Sequence, residues 1–283
     1  MLKFKREKKE KVMKVFKYSI ISSIILSIYF FIQCKVIKNS YYTIKNKRIP
    51  KLFNNYKIVQ LSDLHNCFFG TKKHNYLLSK IDKIRPDLIL LTGDFFEDKP
   101  CKNTMLILEE LSRKYKICFV SGGHEFYVRD YEKILEKLSS LGIELLDNKR
   151  IKIEKNSEFF YITGLLDPIF YKNNYRVMKN NLKKYESDES FHILLSHRPD
   201  LFDLYTSYKY DLSLTGHAHG GQIRIGNQGL FAPNQDWFPK YSAGIFTKND
   251  RSMIVNRGIG WHSLFIKINN RPEIGVIILK NEN

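Results

Sequence analysis

The sequence predicts an α/β domain of two stacked mixed sheets flanked by helices, behind an N-terminal transmembrane helix. Three observations predict it. Apolar runs of strand length alternate with helically spaced apolar positions three times between Tyr56 and Leu141, the pattern of a buried sheet with crossover helices. Beyond Gly142 the apolar runs shorten and helices become few. Ahead of both, Tyr18 to Cys34 is a run of 17 residues without a charge, the short end of what spans a bilayer as a helix.

The elements follow in order. Tyr56–Leu61 is a short apolar strand ending in Ser-Asp. Leu77–Ile84 has helical spacing and stops at Arg85-Pro86, because proline cannot continue a helix. Asp87–Thr92 is a strand, Thr104–Tyr115 a helix, Lys116–Val120 a strand, and Tyr131–Leu141 a helix closed by Gly142. Shorter strands are expected at 143–146, 150–154 and 159–164, then a helix at Tyr175–Tyr185. Strands follow at Phe191–Leu195 and Asp211–Leu214. From Gln222 the chain reads as turns and short strands, closing with Ile274–Leu279.

The chain has 283 residues and a formal net charge of +18. Its hydrophobic share of 43% and aromatic share of 14% allow a sizeable core, which excludes a disordered, collagen-like or disulfide-miniprotein chain for the bulk of it. Residues 1–54 carry 14 basic and two acidic side chains, a net of +12, and the remainder carries +6. No nucleic-acid surface is therefore needed to explain the composition.

Eight of these basic residues, Lys3 to Lys17, precede the uncharged run, and Tyr29, Phe30 and Phe31 suit its far interface. A cleaved signal peptide would need small residues near Cys34, and a lipid-modified Cys34 would need one where Gln33 stands. The run reads as an uncleaved anchor. Eight Lys and Arg before it against five in Lys35–Ile49 favour a cytoplasmic N-terminus and an extracytoplasmic domain. The expected organisation is a basic tail at 1–17, an anchor at 18–34, a basic tether at 35–54 and one domain at 55–283. Cys34, Cys67, Cys101 and Cys118 show no CxxC pairing and imply no disulfide framework.

The chemistry-bearing residues gather at strand ends. The first strand runs into Asp63-Leu64-His65, the second into Gly93-Asp94, and the third into Gly122-Gly123-His124-Glu125. Later strands run into Ser196-His197 and Gly216-His217-Ala218-His219. Ligands of open α/β sheets collect at the carboxyl ends of strands. Two aspartates and five histidines, each just past an apolar strand, point to bound metal. Mixed imidazole and carboxylate donors suit Mn, Fe or Zn better than Mg or Ca. His74, His192 and His262 lack this context and read as surface or packing residues.

The string Asp63-x-His65, Gly93-Asp94, Gly122-x-His124-Glu125, His197, Gly216-His217-x-His219 resembles the calcineurin-like metallophosphoesterase superfamily. Leu195-Ser196-His197-Arg198-Pro199-Asp200, Gly220-Gly221-Gln222 and Arg271-Pro272-Glu273-Ile274 look like its membrane-anchored bacterial branch labelled UDP-2,3-diacylglucosamine pyrophosphatase-like. The resemblance implies a four-layer αββα metallophosphatase sandwich with two divalent metal ions. It implies hydrolysis of a phosphate mono-, di- or pyrophosphate ester, lipid- or envelope-linked or otherwise. By this resemblance Asp63, His65 and His219 hold the first metal, Asp94 bridges, and His197 and His217 hold the second. His124 matches the histidine that contacts the phosphoryl group, and Glu97 stands where an acidic residue orients that histidine. Glu125 reads as structural.

One position departs from the pattern. The family has an asparagine that ligates the second metal where Gly123 stands. The second site is expected to be weak, with a water, Asn66 or Cys67 in the missing place. The alternative function is a catalytically weakened, metal-containing protein that binds an anionic partner.

Overall fold

A computed structural model describes residues 2–70, 75–98, 101–260 and 267–282. His74 and His262 lie outside the described residues. Helix α1 spans Leu2–Lys35. Among the described residues it is the one helix long and apolar enough to cross a membrane, over Lys9–Lys35.

The first sheet contains β1 (Lys38–Asn46), β2 (Lys57–Leu61), β3 (Leu88–Thr92), β4 (Ile117–Val120) and β5 (Glu144–Leu145). Helices α2 (Tyr76–Ile84), α3 (Lys102–Ser112) and α4 (Tyr131–Ser140) connect these strands. The second sheet contains β6 (Lys149–Lys155), β7 (Glu158–Gly164), β8 (His192–Leu195) and β9 (Leu212–Thr215), with α5 (Tyr175–Tyr185) and α6 (Phe202–Tyr205) between them. Four two-residue strands follow: β10 (Arg224–Ile225), β11 (Gln228–Gly229), β12 (Phe231–Ala232) and β13 (Asp236–Trp237). The second sheet is completed by β14 (Gly244–Lys248) and β15 (Arg251–Val255), and β16 (Glu273–Asn281) returns to the first. The sheet orders are β1-β16-β2-β3-β4-β5 and β14-β15-β9-β8-β7-β6.

The layers follow from which faces are apolar. Ile58, Leu88, Leu90, Cys118 and Val120 of the first sheet meet Ile162, Ile193, Leu195, Leu212 and Leu214 of the second in one buried cluster. The opposite face of the first sheet, with Val59, Ile89, Leu91 and Phe119, packs on Leu77 and Ile81 of α2, Ile107 and Leu111 of α3, and Leu138 of α4. The outer face of the second sheet packs on Met178 and Leu182 of α5 and on Phe202 and Tyr205 of α6. The result is helices, sheet, sheet, helices. Strands buried on both faces are continuous apolar runs rather than alternating ones, as Leu88–Thr92 shows.

The expected tether is corrected by the structure. Residues 38–46 form edge strand β1, parallel to β16 over nine residue pairs from Lys38↔Glu273 to Asn46↔Asn281. Its side chains are mostly exposed or half-buried, so the segment carries little apolar signal. Backbone pairing with the last strand orders it.

Candidate metal centre

Strands β2, β3 and β4 run parallel to one another in the first sheet, as do β8 and β9 in the second, so within each sheet their carboxyl ends deliver their loops to one edge. Asp63 and His65 follow β2, Asp94 follows β3, His124 follows β4, His197 follows β8, and His217 and His219 follow β9. Asp63, His65, Asp94, His217 and His219 have positive φ, between 46° and 64°. Non-glycine residues rarely adopt this conformation, and it persists where the surrounding structure over-determines it.

Two glycines permit the close approach of the loops. A Cβ on Gly93, whose φ is +88°, would lie 2.6 Å from the Gly122 Cα, and a Cβ on Gly122 would lie 2.4 Å from Asp94 Oδ1. Glu125 then clamps the two loops. Its buried carboxylate accepts the backbone N–H groups of Asp94 (2.8 Å), Phe95 (2.7 Å), Phe96 (3.0 Å) and Gly122 (2.8 Å). Burial and the neighbouring Asp94 charge push its pKa up to about 7, against the pull of these donors.

The predicted residues come together in groups whose ligand atoms lie within 4.8 Å of one another: Asp63, His65 and His219; Asp94, His197 and His217; and His65, Asp94 and His124. Asp94 belongs to two of the groups. His65 Nε2 faces His219 Nε2 at 3.2 Å, and His219 Nε2 lies 3.4 Å from Asp63 Oδ1. His197 Nε2 faces His217 Nδ1 at 3.1 Å and Asp94 Oδ2 at 2.9 Å.

The hydrogen bonds behind these rings test whether the donor set fits a metal. His197 Nδ1 lies 2.7 Å from the Thr92 carbonyl, which requires a proton on Nδ1. His217 Nε2 lies 2.8 Å from Asn234 Oδ1, and His65 Nδ1 lies 3.2 Å from Glu97 Oε1. Each partner takes the N–H of one ring nitrogen and leaves the other as a lone pair aimed inward. Such partners behind ligand imidazoles are a regular feature of metal sites. Paired nitrogens with carboxylates beside them fit divalent cations.

On the bare protein the same field holds a proton. Burial lowers the His197 pKa, but the charge and hydrogen bond of Asp94 outweigh it and raise the value to about 10. The Asp94 carboxyl is pushed up by burial, yet His197 and then His65 bring it well below the usual range. Burial raises Asp63 and lowers His124.

Gly123 has backbone angles of −70° and −35° at the start of a short turn, and nothing among the described residues lies within 4 Å of a Cβ built on it. Among the described residues the place of the family asparagine is open. Asn66 Oδ1 accepts the Thr104 hydroxyl at 3.0 Å, and Cys67 is buried in the outer core of the first sheet. Glu97 meets the site through His65 Nδ1. Buried His192 packs at the second sheet, with Nε2 2.8 Å from Thr163 Oγ1.

Sequence reasoning missed Asn234, which supports His217, and Lys267. The Lys267 ammonium is fully buried, 3.3 and 3.4 Å from the Arg257 and Gly258 carbonyls, and burial pulls its pKa down to about 8. Both lie in the segment after Gln222, where no periodic pattern marks them.

Residues 56–221 match the calcineurin-like phosphoesterase family. The chain belongs to that family. It is 30% identical over 236 residues to the phosphodiesterase YaeI of Escherichia coli, covering 79% of this chain and 82% of the relative. It is 29% identical over 262 residues, 89% of each chain, to the uncharacterized metallophosphoesterase YkuE of Bacillus subtilis. A transmembrane protein with metallophosphoesterase domain from Danio rerio is 25% identical over 247 residues, which cover 83% of this chain and 55% of the relative. The family member described here is a metal-dependent hydrolase of phosphoester bonds, and candidate His and Asp clusters for a dinuclear divalent site are present.

Proposed function

We propose that the protein is a membrane-anchored phosphoesterase that cleaves a phosphate mono-, di- or pyrophosphate ester with water. Asp63, His65 and His219 hold one divalent ion, His197 and His217 hold a second, and Asp94 is shared. Mn, Fe or Zn suits these donors. Two such ions supply Lewis acidity toward the phosphoryl oxygens and an acidified water at neutral pH. The observation that carries the reading is the double meeting of imidazole nitrogens, at 3.1 and 3.2 Å, beside two buried aspartates.

The chain's own residues complete the chemistry. His124 is half-buried at the rim, its ring centroid 4.7 Å from that of His65, and its backbone N–H donates to Asp94 Oδ1 at 2.8 Å. Its ring contacts a phosphoryl oxygen and protonates the leaving oxygen. Glu97 supports His65. A cavity of about 630 Å³ lies beyond the β3 and β4 loops, lined by Asp98, Tyr127, Arg129, Asp130, Lys133 and Lys137 and by none of the candidate metal ligands. It has the size of a small-molecule site, and Lys133 is paired with Asp130 at 3.2 Å.

The anchor rests on α1 and its flanking lysines, and the charge bias favours an extracytoplasmic domain. An envelope- or lipid-linked ester then lies within reach. The open position at Gly123 favours the second reading, a weakened enzyme that binds an anionic partner. Mn²⁺-dependent hydrolysis of bis(p-nitrophenyl) phosphate by the full chain in detergent tests the choice. Turnover that disappears in Asp94→Asn supports the enzyme. Metal binding without turnover on mono-, di- or pyrophosphate esters supports the binder.

A further inference from the structure

The apolar helix ends inside the support of the metal centre. Gln33 belongs to the last turn of α1, yet its side chain is buried. Its Oε1 accepts the Asn270 backbone N–H at 2.9 Å. Asn270 Nδ2 donates to the carbonyls of His219 at 2.7 Å and Gln222 at 3.0 Å. Its Oδ1 lies 2.1 Å from where a Gly220 Cβ would stand. His219, Gly220, Gly221 and Gln222 all have positive φ. Their carbonyls cannot join a regular ladder, and buried backbone groups need partners. Asn270 supplies two.

Other bonds close the same joint. The Tyr29 hydroxyl donates to Asn269 Oδ1 at 2.9 Å, Arg271 Nε donates to the Val36 carbonyl at 2.9 Å, and the Lys38 N–H donates to the Pro272 carbonyl at 2.7 Å. The Arg271-Pro272 motif singled out in the sequence thus seats the end of the helix. A passive tether would need no buried amide, whose burial is unfavourable without a hydrogen bond.

We propose that Gln33 is a positioning residue for the metal centre, fixing Asn270, which fixes the backbone of His219. The proposal rests on assigning His219 to the first metal. It makes the last turn of α1 part of the site.

The test uses the full chain in detergent and Mn²⁺ as the probe, with binding read by electron paramagnetic resonance and by calorimetry. Gln33→Leu removes the acceptor and is expected to weaken one of the two Mn²⁺ sites by roughly tenfold, the size of one lost buried hydrogen bond. Gln33→Glu keeps an acceptor oxygen and should stay within about twofold of wild type. Tyr29→Phe loosens the same joint without touching the path to His219 and should bind Mn²⁺ as wild type does. Unchanged Mn²⁺ affinity in Gln33→Leu overturns the proposal, as does an equal loss in Tyr29→Phe. If Gln33→Leu does not fold, Asn270→Asp decides from the other side: it loses the donor to His219 and should show the same weakening. Wild-type affinity in Asn270→Asp overturns the proposal. Wild-type protein that binds no Mn²⁺ overturns the metal assignment and this proposal with it.

Discussion

The two halves of the proposed metal centre are built to different standards. Asp63, His65 and His219 are all buried, with Glu97 behind one ring and Asn270 holding the backbone of the other. Asp94 and His197 are equally buried, but His217 is only half-buried and leans on an exposed asparagine, Asn234. At Gly123 none of the described residues fills the space where the family places a ligand. A donor set locked by its supporting shell keeps its geometry before the ion arrives. The first half meets that condition through burial and the held His219 backbone, although among the described residues no partner stands behind the His219 ring. The second has a partner behind each ring, but its His217 is half-buried and its partner Asn234 is exposed.

That contrast can be broken at its shared member. Asp94→Asn should abolish Mn²⁺-dependent turnover, a larger loss than the 10–100-fold that follows removal of a supporting partner. Metal content should fall in both halves. Retention of both ions would mean that Asp94 is not shared.

Glu125→Gln comes next. One carboxylate oxygen becomes an NH₂ group facing backbone N–H donors, which leaves buried donors without acceptors. About 3 kcal/mol of stability should be lost, with a melting temperature lower by roughly 5–10 °C. Activity should drop roughly 10–100-fold as the β3 and β4 loops separate. A calorimetric scan and a rate measurement on the same sample check both.

Gly123→Asn should work in the opposite direction. None of the described residues stands in the way and the backbone is in an ordinary helical conformation, so the side chain is expected to enter without backbone strain. The second Mn²⁺ should bind more tightly by about tenfold, the value of one added ligand interaction, and turnover at limiting metal should rise. Equal binding of both ions in wild type, with turnover unchanged in the variant, would mean that the two halves do not differ.

The smallest effect is expected from Asn234→Ala. Losing the exposed acceptor behind His217 frees its tautomer and should weaken only the second ion, by less than the roughly 10–100-fold that follows removal of a buried supporting partner. If a metal titration shows the first ion weakened instead, Asn234 serves a different half.

What could be read from the sequence was local. Leu88–Leu91 is apolar throughout and is followed closely by Gly93-Asp94, so strand and ligand announce each other. In β2 and β8 the apolar residues Ile58, Val59 and Leu61 and Ile193–Leu195 do the same one serine ahead of Asp63 and His197. Strand β1 was missed because its order comes from β16, far along the chain, and not from its own Lys, Asn and Tyr pattern. Asn234, Asn270 and Gln33 were missed for a related reason. Each is a polar residue in an irregular or apolar stretch, and only the folded chain shows what it touches. Glu97 is expected to orient His124; its carboxylate stands 3.2 Å from His65 Nδ1, and its charge also favours the protonated His124 ring.

The pairing of β1 with β16 also sets an order of events during synthesis. Roughly 230 residues separate the two strands, so at 5–20 residues per second the ribosome leaves β1 without its partner for about 10–50 s. Lysines at Lys38 and Lys45 suit an edge strand that must wait without joining another chain. The joint at Asn269 to Pro272 therefore forms only after all the candidate ligands have been made. A nascent chain that has reached only residue 260 already carries every candidate ligand, and still lacks the piece that fastens them to α1.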